Sequence, residues 1–125
     1  SDVIAQSFDL LVLPGGPAVF ELREKPRVLD LIRRFHFDGI PIGAICAAPL
    51  LLHDAGILSQ VTEYTAHGST LDELPELQTD QETIVSANLI TSRGAGTAVS
   101  FGLALVEKLF GTEKAEEIKA SIHAA

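Results

Sequence analysis

Cys46 stands in Ala44-Ile45-Cys46-Ala47-Ala48, directly after an apolar run and three residues before Pro49, which three leucines follow. A nucleophile at a strand-to-helix hinge needs small residues two before and two after it, so that strand and helix can close on each other around a strained turn. Ala44 and Ala48 fill both positions. Such an elbow aims the side chain out at the carboxyl end of a sheet. There the N–H groups and positive dipole end of the following helix face the sulfur and favour thiolate over thiol. The competing reading is a buried cysteine acting as a small hydrophobe, the usual fate of a lone cysteine. The all-apolar strand before Cys46 and the alanines on either side favour the nucleophile.

Pro14-Gly15-Gly16 closes an earlier apolar run, and ligands of open parallel sheets bind at such strand ends. Gly16 could turn its N–H toward the reaction centre and form an oxyanion hole with the N–H of Ala47; by itself the motif reads equally as a turn. His67, in Thr65-Ala66-His67-Gly68-Ser69, could reach the same face as general base or proton shuttle, or be an ordinary loop histidine. His53 lies seven residues past Cys46, at the far end of the elbow helix, and reads as a surface residue. Arg93-Gly94-Ala95-Gly96-Thr97 resembles an anion-binding loop, but it lacks the full G-x-G-x-x-G pattern and no Walker lysine follows, so nucleotide binding has little support.

The elements that must position these residues alternate between strand-like and helix-like, the pattern of a mostly parallel sheet with helices on both faces. Phe8–Leu13 and Ile40–Ile45 read as strands buried on both faces. A helix from Lys25, with Pro26 in its first turn, repeats Val28, Leu31, Ile32 and Phe35 on one side. The helix after the elbow runs to about Ala55, with Gly56 as its C′ residue. Val61–Thr65 reads as a weaker strand and Thr70–Asp80 as an acidic loop. Thr83–Ala87 and Leu89–Thr91 read as strands with a bend at Asn88. A helix follows from Ala98, with Val99, Leu103, Val106 and Phe110 on one face, and a last one over Glu113–Ile122, capped by Thr112.

The chain has 125 residues and one domain is expected over 1–125. Seventeen Asp and Glu against nine Lys and Arg give a net charge of −8, the wrong sign for a phosphate backbone or an anionic membrane surface. Neither nucleic acid nor membrane is expected as a direct partner. A single cysteine excludes an intrachain disulfide framework, so a reducing, cytoplasmic location is the default. The four histidines are scattered, none at i, i+4, so no metal and no cofactor is expected.

The ordered motifs VLPGG (Val12–Gly16), AICAAP (Ala44–Pro49) and LITSRGAGTA (Leu89–Ala98), with FGLALVEKLFG after them, resemble the ThiJ/PfpI superfamily. Within it they are similar to the branch of the parkinsonism-associated deglycase and its bacterial homologues. The resemblance runs from about Phe8 to the C-terminus. It implies a flavodoxin-like three-layer α/β sandwich, a homodimer, and an oxidation-prone cysteine at the elbow. Carried over residue by residue, it makes Cys46 the reactive thiol, Gly16 and Ala47 the backbone donors around it, and His67 the histidine near the pocket. In the branch with protease activity the cysteine is followed by histidine; Ala47 stands there here and argues against a peptidase. Family members also begin with strands, a helix and a glutamate that contacts the cysteine, and no acidic residue here matches that glutamate. The resemblance therefore implies that the N-terminal part of the fold is missing from this chain, which is a fragment, one piece of a cleaved protein, or a truncated member without its main activator; the expectation is that a segment of the same gene product or another chain supplies the missing strands, the glutamate and part of a dimer interface.

The function expected is a cysteine-dependent, glutathione-independent glyoxalase or deglycase with a stress-response role, acting on a small reactive aldehyde such as methylglyoxal or on glycated adducts. The alternative is a redox sensor or chaperone-like protein in which Cys46 oxidises to sulfinate without turnover. A third reading is a domain with an inert cysteine.

Overall fold

Residues 8–124 are described by the computed structural model. Three apolar runs become parallel neighbours: β1 (Leu11–Leu13), β2 (Ile42–Ile45) and, after the hairpin strand β3 (Thr83–Ser86), β4 (Leu89–Ser92). The sheet order is β1-β2-β4-β3, with β3 antiparallel to β4. Val12, Gly43 and Ile90 lie in one row across the three parallel strands, and Leu13, Ala44 and Thr91 in the next. This register ends all three at the same edge, one residue short of Pro14, Cys46 and Arg93.

Side chains alternate across the sheet. Ile42, Ala44 and Leu89 join a core with Val19, Ile32, Phe35 and the elbow leucines Leu50, Leu51 and Leu52. These come from α1 (Ala18–Leu22), α2 (Pro26–Phe37) and α3 (Pro49–Asp54). Each large side chain here removed from water contributes about 1.5–3 kcal/mol. On the other face α4 (Ala98–Phe110) lies over β2, β3 and β4 and packs against α5 (Thr112–Ser121). Helices on both faces of a mostly parallel sheet match the expected α/β sandwich. No helix among the described residues is long and apolar enough to cross a membrane.

The expected stripe of α2 holds: Ile32 and Phe35 are buried, Val28 and Leu31 half-buried, and Pro26 is the first helical residue. The elbow helix ends as expected. Gly56, at φ +80°, donates to His53 O at 2.9 Å while Ile57 donates to Leu52 O at 3.1 Å, the double closure of a Schellman motif.

Five expectations are corrected. β1 begins at Leu11 rather than Phe8 and is not buried on both faces: Val12 is 42% exposed, since α4 packs mainly over β2, β3 and β4. Val61–Thr65 is no strand; Thr65 N–H donates to the Thr91 hydroxyl at 2.9 Å, a side-chain bond in place of a ladder bond. The side of α4 that closes on Gly43 is Phe101, buried, and Leu105, half-buried; of the expected face Leu103 and Val106 are half-buried, but Val99 and Phe110 are 54% and 69% exposed. Thr112 does not cap the last helix. Gly111 holds the cap position at φ +94°, and the Thr112 hydroxyl donates to Glu107 at 2.7 Å. The short α1 has no counterpart among the expected elements; it begins directly after Pro17.

Candidate active site

The level ends of β1, β2 and β4 bring Pro14–Gly16, Cys46 and Arg93–Thr97 to one edge of the sheet, the place where ligands of such sheets bind. Cys46 is half-buried, unpaired, and held at φ +66°. A side chain in the left-handed region is strained by about 1–3 kcal/mol and persists only where its surroundings fix it. Three backbone bonds do so. Cys46 N–H donates to Ser92 O at 3.0 Å, its own carbonyl accepts His67 N–H at 2.8 Å, and Ala48 N–H turns back to Ile45 O at 3.1 Å. The strand-to-helix hinge read from Ala44 to Ala48 is therefore a strained elbow.

Gly15 forms the wall against the thiol. A Cβ on it would stand 2.5 Å from Cys46 Cβ, 3.0 Å from Ile45 O and 3.3 Å from Sγ, so only a glycine permits this approach. The sequence reading singles out Gly16 and passes over Gly15; the doubled glycine is the signal. Gly16 follows at φ +102°. Its N–H and that of Ala47 are taken by no backbone acceptor among the described residues. The helix after the elbow offers the sulfur less than expected, since Pro49 has no N–H and Ala48 spends its own on Ile45.

His67 is exposed and begins a 3₁₀ turn over Gly68–Thr70. Its Nδ1 accepts the Ser69 N–H at 3.1 Å and lies 2.8 Å from the Ser69 hydroxyl. An Nδ1 that accepts leaves the proton of the neutral ring on Nε2. Ser69, which fixes this tautomer, is not among the residues picked from the sequence; a serine two residues after a histidine in a turn is the signal. The ring borders a cleft of about 490 Å³ that Arg93, Gly94 and Asp80 also line. Behind it, buried Ser92 bonds through its hydroxyl to Thr97 at 2.6 Å, to Thr83 at 2.9 Å and to Glu82 O at 2.9 Å, fastening the Arg93–Thr97 loop. His53 is exposed on the last turn of α3, in keeping with a surface residue. No group of three or more metal-binding side chains occurs among the described residues.

The DJ-1/PfpI family profile matches residues 1–108. The chain belongs to that family. Its relatives in the DJ-1 branch include glutathione-independent glyoxalase DJR-1.2 of Caenorhabditis elegans, 37% identical over 94% of this chain and 63% of that protein. Glutathione-independent glyoxalase DJ-1 of Schizosaccharomyces pombe is 31% identical over 98% of this chain and 65% of its own length. The crystal structure of Drosophila melanogaster DJ-1beta superposes with a TM-score of 0.90 at 36% identity, over 99% of this chain and 68% of that one. The fold is thus that of the DJ-1 branch, and this chain spans a little under two thirds of the length of the worm and fission yeast relatives.

Proposed function

We propose that this DJ-1/PfpI chain is a cysteine-dependent, glutathione-independent glyoxalase, with Cys46 as the nucleophile toward methylglyoxal. The observation that carries this reading is the strained elbow: a free thiol at φ +66°, at the end of the central strand, with Gly15 against it. The names of the worm and yeast relatives support the substrate class. In the step proposed, the Cys46 thiolate adds to the aldehyde carbon and forms a hemithioacetal, whose oxyanion faces the N–H groups of Gly16 and Ala47. His67 takes the C1 proton on Nδ1, giving up the bond from Ser69 N–H to do so, an enediolate forms, and return of a proton from His67 to C2 gives a lactoyl thioester. Water then hydrolyses the thioester, releasing lactate and the thiolate. The net change is addition of one water, with no external oxidant or reductant. His67 is the proton shuttle, and glycated adducts that regenerate the same aldehyde carbon fall in the same class. A homodimer, a cytoplasmic setting and a stress role go with this reading.

Methylglyoxal turnover without glutathione tests it. Cys46→Ser abolishes the rate and His67→Ala lowers it less; an unimpaired Cys46→Ser variant rules out covalent catalysis. The lack of a second cysteine favours one further reading, in which peroxide carries Cys46 to sulfinate because no internal disulfide can intervene. Intact-mass analysis after mild peroxide tests that: addition of two oxygens at Cys46 supports it, and a disulfide-linked dimer of chains counts against it.

A further inference from the structure

A cleft opens beside His67 at this sheet edge, and of its lining the elbow chemistry uses His67 alone. Arg93 is half-buried along it. Its Nε donates to Ala66 O at 3.2 Å and its Nη1 to Thr79 O at 2.9 Å, so two arms of the guanidinium clamp the chain on either side. Nη2 has no hydrogen-bond partner and Arg93 no ion pair among the described residues, although Asp80 and Glu82 line the same cleft. Two glycines line the cleft beside these groups: a Cβ on Gly68 would stand 3.6 Å from Nη2, and one on Gly94 3.6 Å from the His67 ring, each an ordinary contact. Both donors belong to residues next to or within the Cys46 hinge bonds, since Ser92 O and His67 N–H hold the Cys46 peptide.

We propose that this cleft binds a small monoanionic carboxylate, with Arg93 Nη2 and His67 Nε2–H as its donors. Two donors of a cation and a neutral imidazole suit one carboxylate, because a charge-assisted bond from guanidinium is the strongest available to it. Asp80 and Glu82 line the same cleft and oppose every added negative charge, so a monoanion is favoured over phosphate and polyphosphate. The site rests on the glyoxalase reading only in its placement beside Cys46, where it would take the carboxylate of the lactate product or of an acidic 2-oxo substrate.

Two measurements on the full chain test it. The first is the ratio of Cys46 alkylation rates with iodoacetate and with iodoacetamide, which differ in one charge. Gly68→Glu places a carboxylate within reach of Nη2 and leaves both clamp bonds in place; Gly68→Gln is its neutral control. The ratio should fall about fivefold in Gly68→Glu relative to Gly68→Gln, and an equal ratio overturns the proposal. The second needs no reactive thiol: titration with sodium lactate, followed by the His67 ring resonances, should give a saturable shift that Gly68→Glu removes. Sodium phosphate at the same ionic strength should shift them less. An unsaturable lactate response equal to that of sodium chloride overturns the site, whereas loss of alkylation by both reagents with lactate binding intact overturns only the nucleophile reading.

Discussion

The carbonyl of Cys46 accepts the N–H of His67 at 2.8 Å, while the N–H of Cys46 donates to Ser92 O at 3.0 Å. The peptide of the nucleophile is thus gripped from both sides by the segments that carry the other candidate residues. A hinge held this way can keep a conformation that an isolated chain would avoid, and the stored strain is released when the side chain is removed.

That strain is measurable. Cys46→Gly removes the Cβ that makes φ +66° unfavourable and should stabilise the fold by about 1 kcal/mol against Cys46→Ala, which keeps the Cβ. Denaturant unfolding of the two variants decides it; equal midpoints would mean that the hinge is not strained.

Gly15 and Gly16 are required for different reasons. A Cβ added at Gly15 would lie 2.5 Å from Cys46 Cβ and 3.0 Å from a backbone oxygen, so Gly15→Ala must displace the elbow and should slow Cys46 alkylation while costing about 1–3 kcal/mol of stability. At Gly16 a Cβ meets nothing within 4 Å, and only the φ of +102° opposes it. Gly16→Ala should therefore cost about 1 kcal/mol. Its alkylation rate should stay closer to wild type than that of Gly15→Ala, and the reverse order would show that the thiol does not depend on the Gly15 approach.

The elbow was legible because its requirement is local: small residues at fixed offsets around one cysteine, after an apolar strand. Strand order was not read from the sequence: Phe8–Leu13 and Ile40–Ile45 look equally apolar, and only the structure places β2 between β1 and β4. The phase of α4 was not legible either. Val99, Leu103, Val106 and Phe110 keep helical spacing, but so do Phe101 and Leu105. The choice between them is made by Gly43 on another element, whose missing side chain leaves room for the Phe101 ring. Nor could the sequence show that Thr91, a strand residue, would hold Thr65 by its hydroxyl.

The phase of α4 predicts a clear contrast. Phe101, 6% exposed above Gly43, should cost about 3–5 kcal/mol when changed to alanine. Phe110, 69% exposed, should cost under about 1 kcal/mol. Thermal or urea melts of the two variants check this. A loss at Phe110 matching that at Phe101 would mean that something covers the outer face in solution.

The last expectation concerns pH. Arg23, just after α1, forks to Asp54 at the end of α3 with contacts of 2.7 and 3.0 Å, and to Glu73 in the acidic loop with contacts of 2.9 and 2.6 Å. One guanidinium thereby ties the elbow helix to the loop whose far end, at Thr79 and Asp80, lines the cleft. The hydrogen bonds from Arg23 hold the Glu73 carboxyl below its ordinary value of 4.5, more than burial raises it. A depressed carboxylate contributes stability that is fully present above 4.5 and is lost as pH falls through its folded value. Glu73→Gln should accordingly lower the melting temperature at neutral pH, and the gap to wild type should narrow steadily once the pH drops below 4.5. Because Glu73 is substantially exposed, solvent screening keeps the gap small. A difference for Glu73→Gln that is constant across the acid range would mean that its pairing with Arg23 contributes nothing to the folded state.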